Sequence, residues 1–235
     1  MRVCVVLTLA LAALLAVASA PDEAVRKAAR AFDAGEWANA QALYGLVTDR
    51  APDDAGAQGR LLASSVMRSD TAAMVGAVER ALAAGVPLGV LADSLKVDLR
   101  MASGYGRYPG ALHLIAGRLP YLRRPVTVRL LDYYTERRDG QMMVECARSL
   151  LAGLPDSPRY LSSLALGLLY CGDKPGAEAA WRRAIEADPA DVGAIISLAS
   201  LLGDSDEALG LLRRADLLSP SPAIKARIKA ISDRR

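Results

Sequence analysis

Histidine is almost absent from this chain, and its scarcity limits the enzyme chemistry that the sequence can support. The one histidine, His113, would have to serve any Ser-His-Asp or Cys-His site. It stands between Leu112 and Leu114 with no catalytic motif around it, so we interpret it as an ordinary helix residue. There is also no His/Cys cluster with metal-ligand spacing, no glycine-rich phosphate loop and no Gly-x-Ser-x-Gly motif. We therefore predict that the protein is not an enzyme and holds no metal and no cofactor.

Aromatic residues are also few, and this favours helices over sheets. They make up 5% of the chain, whereas hydrophobic residues make up 52% and include many Ala and Leu. Small and medium aliphatic side chains suit close helix–helix packing better than a β-sandwich. The net charge of +3 is too small to imply a polyanionic partner for the chain as a whole. The composition predicts a folded, all-α protein.

Long hydrophobic runs are missing except at the N-terminus, where residues 1–20 have the features of a signal peptide. Arg2 supplies a positive charge, 3–17 is uncharged and apolar, and small residues follow. Pro21 would fit a processing peptidase poorly, so we favour cleavage after Ala18. Cleavage would give an exported protein, periplasmic or secreted, with no integral membrane domain. The alternative is an uncleaved leader that makes the protein a membrane-tethered accessory subunit of an envelope complex.

Cysteine is scarce as well, and export would leave only Cys146 and Cys171 in the mature chain. An oxidising compartment makes a disulfide between them worth considering. On two antiparallel neighbouring helices, however, they would be offset by about 7 Å along the axis before any lateral gap. We therefore expect two unpaired, buried thiols.

A spaced pattern of residues occurs twice in the chain, 137 residues apart. Its two instances are Gly35, Trp37, Ala40, Tyr44 and Pro52, and Gly172, Lys174, Ala177, Trp181 and Pro189. The separation is four periods of about 34 residues, the length of a helix–turn–helix repeat that stacks into a solenoid. Such a repeat buries its apolar face on its neighbours and leaves an extended concave surface.

The segment 158–191 carries the clearest single repeat. Two helical stripes of apolar residues are separated by a Gly-Asp turn and closed by proline: Leu161, Leu164, Ala165, Leu168, Gly172, Asp173, Ala177, Trp181, Ala184 and Pro189. In these residues the chain resembles the tetratricopeptide repeat (TPR) family. It departs from the family where Leu161 and Leu168 replace aromatic residues and Ala165 replaces glycine. The resemblance implies an α-solenoid of five to six TPR-like hairpins in a right-handed superhelix.

The repeats divide the chain into blocks. TPR-like repeats are predicted over 21–88 and 124–222, and 223–235 is expected to be a capping helix and tail. Between them, 89–123 is rich in glycine and is interpreted as a degenerate repeat or an irregular bridge. The spacing shortens to 31 residues from Ala177 to Ala208, which predicts a trimmed turn or first helix.

The resemblance also implies a function, which is protein–protein interaction as a scaffold or assembly factor. In TPR proteins the first helix of each hairpin lines the concave groove. The corresponding residues here are mostly small or apolar: Phe32, Val66, Met67, Val128, Asp132, Thr135, Ser162, Leu166, Leu169 and Ile196. We therefore expect the groove to bind an apolar segment of a partner protein of unknown identity. The alternative is that a tight superhelix or the capping helix covers these residues.

A second stretch combines arginine with tyrosine. Its members are Arg118, Arg123, Arg124, Arg129, Arg137 and Arg138 with Tyr105, Tyr108, Tyr121, Tyr133 and Tyr134. Such a mixture can bind single-stranded nucleic acid, but acidic neighbours and the leader argue against that partner. We interpret the stretch as solvated helix faces and core tyrosines, with a protein-binding patch as an intermediate reading. An enzyme site in 89–123 around His113 is a remaining rival.

Overall fold

The computed structural model describes residues 23–234, which contain helices and no strand. The chain divides into two compact units between Val126 and Thr127. The predicted leader, residues 1–20, lies outside the described residues. No described helix is long and apolar enough to cross a membrane.

Unit 1, the described residues up to Val126, contains helices joined by short turns. They are α1 (23–33 of the described residues), α2 (Trp37–Arg50), α3 (Ala55–Met67), α4 (Thr71–Ala83), α5 (Leu88–Met101) and α6 (Tyr108–Arg118). Single 3-10 turns, Tyr105–Arg107 and Pro120–Leu122, precede and follow α6. The segment 89–123, interpreted as a degenerate repeat or an irregular bridge, contains most of α5, the short α6 and both 3-10 turns.

Unit 2, from Thr127 on, continues the same plan. Its helices are α7 (Arg123–Arg137, which begins in unit 1), α8 (Gly140–Leu151), α9 (Pro158–Tyr170), α10 (Lys174–Ala187), α11 (Val192–Leu202), α12 (Asp206–Leu218) and α13 (Pro222–Ser232). The second helix of one hairpin packs against the first helix of the next in α2 with α3, α8 with α9 and α10 with α11, and in unit 1 α3 also packs extensively on α5. This packing of successive hairpins is an α-solenoid, as predicted.

The two instances of the sequence pattern occupy equivalent places in the structure. Gly35 and Gly172 both adopt a positive φ, at 73° and 84°. Trp37 and Lys174 are the first residues of α2 and α10. The remaining pairs match as well. Ala40 and Ala177 are completely buried, Tyr44 and Trp181 are buried aromatic side chains, and Pro52 and Pro189 stand just after a helix end. The 137-residue separation is therefore a structural repeat.

A left-handed residue ends the first helix of every described hairpin. Glycine holds this place in three turns and another residue in the others: Gly35, Ser69, Ser103, Arg138, Gly172 and Gly203. At Arg138 the next amide, that of Asp139, donates to the Tyr134 carbonyl at 3.0 Å, which closes the helix end. The Asp139 carboxylate then accepts from the Met142 amide at 3.2 Å and caps α8. A left-handed residue followed by an aspartate cap recurs at Asp70 and Asp173.

The core of unit 2 is built around the residues that the sequence pattern marks. Trp181 is 3% exposed and packs among small residues of the neighbouring helices, which confirms its predicted burial. Helices α8 and α9 cross closely at two glycines. A Cβ on Gly167 would lie 3.0 Å from the Met143 Cβ and 3.1 Å from the Gly140 carbonyl oxygen. The crossing therefore requires the absence of a side chain at these positions.

The C-terminal end of unit 2 has a shortened repeat followed by a terminal helix. Helix α11 has 11 residues whereas α9 has 13, so the first helix of this repeat is the part that is shortened. Helix α13 begins with proline, buries Ile224 and Ile231, and leaves its lysines exposed to solvent. It closes the apolar end of unit 2, as expected of a capping helix.

The two cysteines of the described region depart from the prediction in one respect. Both are free, as expected, and Cys146 is buried. Burial raises the pKa of the Cys146 thiol to about 11. Cys171, in contrast, is exposed. The expectation of two buried thiols is wrong for Cys171 because it is the cap residue after α9, where the chain leaves the packed helix.

Candidate functional site

Two predicted groove residues of unit 1 belong to the core instead. Phe32 is 2% exposed and Val66 is 3% exposed. The Phe32 ring packs edge-on against the rings of Trp37 and Tyr44, with centroid distances of 5.3 and 6.3 Å. The burial of both side chains, explained for Phe32 by these ring contacts, corrects the sequence-based assignment of Phe32 and Val66 to an accessible groove lining. Met67, the last residue of α3, is partly buried.

The predicted groove residues of unit 2 keep part of their surface accessible. All of them lie on the first helices α7, α9 and α11 and are partly buried: Val128, Asp132, Thr135, Ser162, Leu166, Leu169 and Ile196. On α7, the Thr135 hydroxyl donates to the Leu131 carbonyl at 2.7 Å. Asp132 pairs with Arg159 of α9 at 3.1 Å. The polar members on α7 are therefore already engaged within the unit.

A cleft lies between α9 and α11 and brings two of the predicted residues together. Its volume is about 230 Å³, and its lining includes Ser162, Leu166, Trp181, Asp191, Ala194 and Ser197. The floor is apolar because Leu166 and Trp181 pack on the core of unit 2. The rim is polar, and the Ser162 hydroxyl lies 3.5 Å from a carboxylate oxygen of Asp191. We call this site the α9–α11 cleft.

Asp191 is held rigidly at the edge of the α9–α11 cleft. Its other carboxylate oxygen accepts from the Ala194 amide at 3.0 Å and caps α11. An apolar floor with a few fixed polar groups at the rim is the usual make-up of a site that receives a side chain of a ligand. Leu169 and Ile196 also pack against the same core but do not line this cleft.

A cleft of different character lies between α3 and α5 of unit 1. Its volume is about 470 Å³, and it is lined by Gly56, Arg60, Val90, Asp93, Ser94, Val97 and Asp98. Sequence reasoning missed it because Arg60 and Asp98 look like ordinary surface charges of two separate helices. The helices approach closely at Gly59, where a Cβ would lie 2.6 Å from the Ser94 Cβ.

Arg60 is the centre of a polar network beneath that cleft. Its guanidinium donates to the Tyr44 hydroxyl at 2.7 Å and lies 3.7 Å from a carboxylate oxygen of Asp98. The same group sits 5.6 Å from the centroid of the buried Phe32 ring. Asp98 itself is 7% exposed. Burial raises the pKa of the Asp98 carboxyl to about 6, and the charge of Arg60 opposes that rise.

The residues considered for catalysis or nucleic-acid binding differ in their burial. His113 lies on α6 with its side chain exposed. Within 23–234, no group of three His, Cys, Asp or Glu side chains could hold a metal ion. Of the tyrosines in the Arg/Tyr stretch, Tyr108, Tyr133 and Tyr134 are buried, whereas Tyr121 is 66% exposed. The absence of enzymatic activity stays a prediction.

Comparison with known proteins gives information on the fold alone. No family model and no curated protein matches the chain. A solved structure of the C-terminal part of a TPR repeat-containing protein from Cytophaga hutchinsonii is similar with a TM-score of 0.52 at 10% identity, over 89% of this chain and 85% of that one. A chain in the structure of Naa15/Naa10 bound to HypK-THB gives a TM-score of 0.50 at 12% identity, over 91% of this chain and 34% of that one. The chain therefore has the fold of TPR proteins, and the resemblance read from the sequence is confirmed at that level.

Proposed function

We propose that this protein is an exported interaction module that binds an apolar segment of a partner protein in the α9–α11 cleft. The single observation that carries the proposal is the cleft itself, with its apolar floor and polar rim on two successive first helices. A large aliphatic side chain of the partner would rest on Leu166 and the edge of Trp181. The serine hydroxyls at the rim would bond to the partner's backbone.

The fold supports a binding role of this kind. Stacked hairpins present their first helices side by side, so a partner segment can touch several repeats at once. One of the similar chains was solved in the assembly of Naa15/Naa10 bound to HypK-THB. A similar fold therefore occurs in at least one protein assembly. We propose the same class of function, protein binding, for this chain, but not the same partner.

Binding is tested with a charge placed in the cleft. A partner is first recovered by crosslinked pull-down from the native compartment and purified. We expect Leu166→Glu to abolish its binding, because a carboxylate on the apolar floor has no partner and is strongly disfavoured there. Calorimetric titration of the purified partner measures the effect.

Two further variants keep this test interpretable. Leu217→Glu makes the same chemical change on α12 at a side chain that is 85% exposed and outside the cleft, so it should bind like the wild type. Because Leu166 also packs on the core, Ser197→Arg offers a second way to fill the cleft from its rim. A partner that binds Leu166→Glu and Ser197→Arg, both folded, as well as it binds Leu217→Glu would refute the site.

Export is the part of the proposal that rests on residues 1–20. The N-terminal sequence of the protein isolated from its native host distinguishes the two forms. A mature chain beginning at Ser19 supports an exported, released protein. A chain that retains its apolar N-terminus supports the alternative, a membrane-tethered accessory subunit of an envelope complex.

A further inference from the structure

Charge is unevenly distributed along the chain in a way that the small net charge hides. Between Asp98 and Asp132 there is no acidic residue, whereas there are six arginines and no lysine. Two of these arginines are used inside unit 1. Arg100 stacks on Tyr105 at 4.5 Å, and Arg107 donates to the carbonyl of Met67 at 3.0 Å. Of the other four, Arg118, Arg123 and Arg124 lie in unit 1, where α6 ends and α7 begins.

This elbow is short and its charged side chains point to solvent. Arg118 is the last residue of α6, and Arg123 and Arg124 open α7 after a single 3-10 turn. All three side chains are exposed, and Arg118 and Arg124 make no ion pair within the part of the chain that the structure describes. A helix start ordinarily carries acidic residues, and α7 has none in its first turn. The positive charges of Arg118 and Arg124 are therefore not neutralised by an ion pair within the described residues.

An exposed aromatic ring lies in the middle of the arginines. Tyr121 is 66% exposed and is the most exposed tyrosine of the described chain. Its neighbours Leu119 and Leu122 are buried, 5% and 7% exposed, and fix the turn to the core of unit 1. Tyr121 therefore stands on a rigid turn with its ring in water. We call Arg118, Tyr121, Arg123 and Arg124 the elbow patch.

We infer that the elbow patch docks unit 1 onto the surface of an anionic lipid bilayer. Guanidinium groups bind phosphate oxygens through paired hydrogen bonds, which suits lipid headgroups. A tyrosine side chain is apolar in its ring and polar at its hydroxyl, and such residues settle at the membrane–water interface. The acid-free stretch removes like-charge repulsion between the protein and an anionic surface. The exposed side chains of this short turn project around two buried leucines and can meet a flat surface, whereas a peptide partner is better received by the clefts between helices.

Vesicle flotation tests the inference with the full chain. Vesicles of equimolar phosphatidylcholine and phosphatidylglycerol are compared with vesicles of phosphatidylcholine alone. The ratio of the affinities for the two kinds of vesicle measures the charge-dependent part of membrane binding. Any contribution of the apolar N-terminal run is the same in every protein compared and does not affect differences in this ratio. We expect the wild type to prefer the anionic vesicles, and the triple variant Arg118→Gln, Arg123→Gln, Arg124→Gln to lose about tenfold or more of that preference. Tyr121→Ser should lose a smaller part.

A matched control removes the same charge elsewhere. Arg50, Arg148 and Arg213 are exposed residues of α2, α8 and α12, and replacing them with glutamine changes the net charge equally. This control triple should retain the wild-type preference within about twofold, at unchanged melting temperature. Equal loss in both triples would mean that net charge, not the elbow patch, determines binding, and would overturn the inference. Binding of a single-stranded oligonucleotide through the patch, without any preference for anionic vesicles, would overturn it as well.

Discussion

At the scale of single residues, the hairpin turns adopt a left-handed backbone conformation that the residue type indicates at only some of them. Ser69, Ser103 and Arg138 adopt φ values of 54° to 58°, in the left-handed region that costs a residue with a Cβ about 1 kcal/mol or more. Glycine marks the equivalent turns at Gly35 and Gly172, and those turns were identified from the sequence. At Ser69 and Arg138 there is no glycine, and the aspartate cap that follows, Asp70 or Asp139, is the local signal of the turn.

Replacing such a residue with glycine should stabilise the protein. We expect Arg138→Gly to raise the free energy of unfolding by roughly 0.5–1 kcal/mol, because it relieves the left-handed strain and removes an exposed side chain that makes no ion pair within the described residues. Urea denaturation measures the change. Gly172→Ala is the opposite case, because alanine would have to adopt the left-handed φ of 84° that glycine tolerates. Nothing lies near the Cβ position, so the cost is conformational, and the free energy of unfolding should fall by a similar amount. A destabilised Arg138→Gly variant would contradict the conformational explanation.

Asp98 should give unit 1 a characteristic pH dependence. Its folded pKa of about 6 lies above the unfolded value near 3.9, so the folded protein holds this proton more tightly. The stabilisation is complete below about pH 4 and is lost as the pH rises through about 6, with a magnitude of roughly 1–3 kcal/mol. The free energy of unfolding of Asp98→Asn should therefore improve relative to wild type between pH 4 and pH 7. A difference between the two proteins that stays constant over this range would show that Asp98 does not titrate as described.

At the scale of helices, close crossings set the spacing of the repeats. Gly140 and Gly167 let α8 and α9 approach until a Cβ on either would touch backbone oxygen of the other helix. The sequence pattern marked Ala165 and Ala177 as the small residues of the repeat, and both are completely buried. The pattern gave no reason to select Gly167. A glycine within a helix is expected to weaken that helix, and its packing role is seen only when the helix that crosses it is known.

The α8–α9 crossing makes a prediction that opposes helix propensity. Alanine is a better helix former than glycine by about 1 kcal/mol, yet we expect Gly167→Ala to destabilise the protein by roughly 1–3 kcal/mol, because the added methyl group meets Met143 and the Gly140 carbonyl. Gly210→Ala on α12 is the control, because nothing lies within 4 Å of its Cβ position. It should be neutral or stabilising in the same thermal unfolding assay. Equal changes in thermal stability at the two sites would contradict the close contact between α8 and α9 at Gly167.

At the scale of the whole chain, the repeat length determined how much could be predicted. The all-α solenoid followed from a pattern that Gly35, Ala40 and Tyr44 share with residues four periods later, because repeats bury the same positions each time. The binding surface followed less completely. Phe32 was assigned to the groove from its place on a first helix, but its ring is covered by Arg60, a contact between helices that no local pattern encodes.

The central claim, that a partner protein binds in the α9–α11 cleft, is tested most directly by site-specific photo-crosslinking in the native host. A photoreactive amino acid replaces Ser197 at the rim of the cleft or, as the control, Leu217 on the exposed face of α12. We predict a discrete crosslinked adduct from position 197, lost when Leu166→Glu is added, and none from position 217. The same adducts from both positions, or an adduct at 197 that persists with a folded Leu166→Glu variant, would contradict the claim.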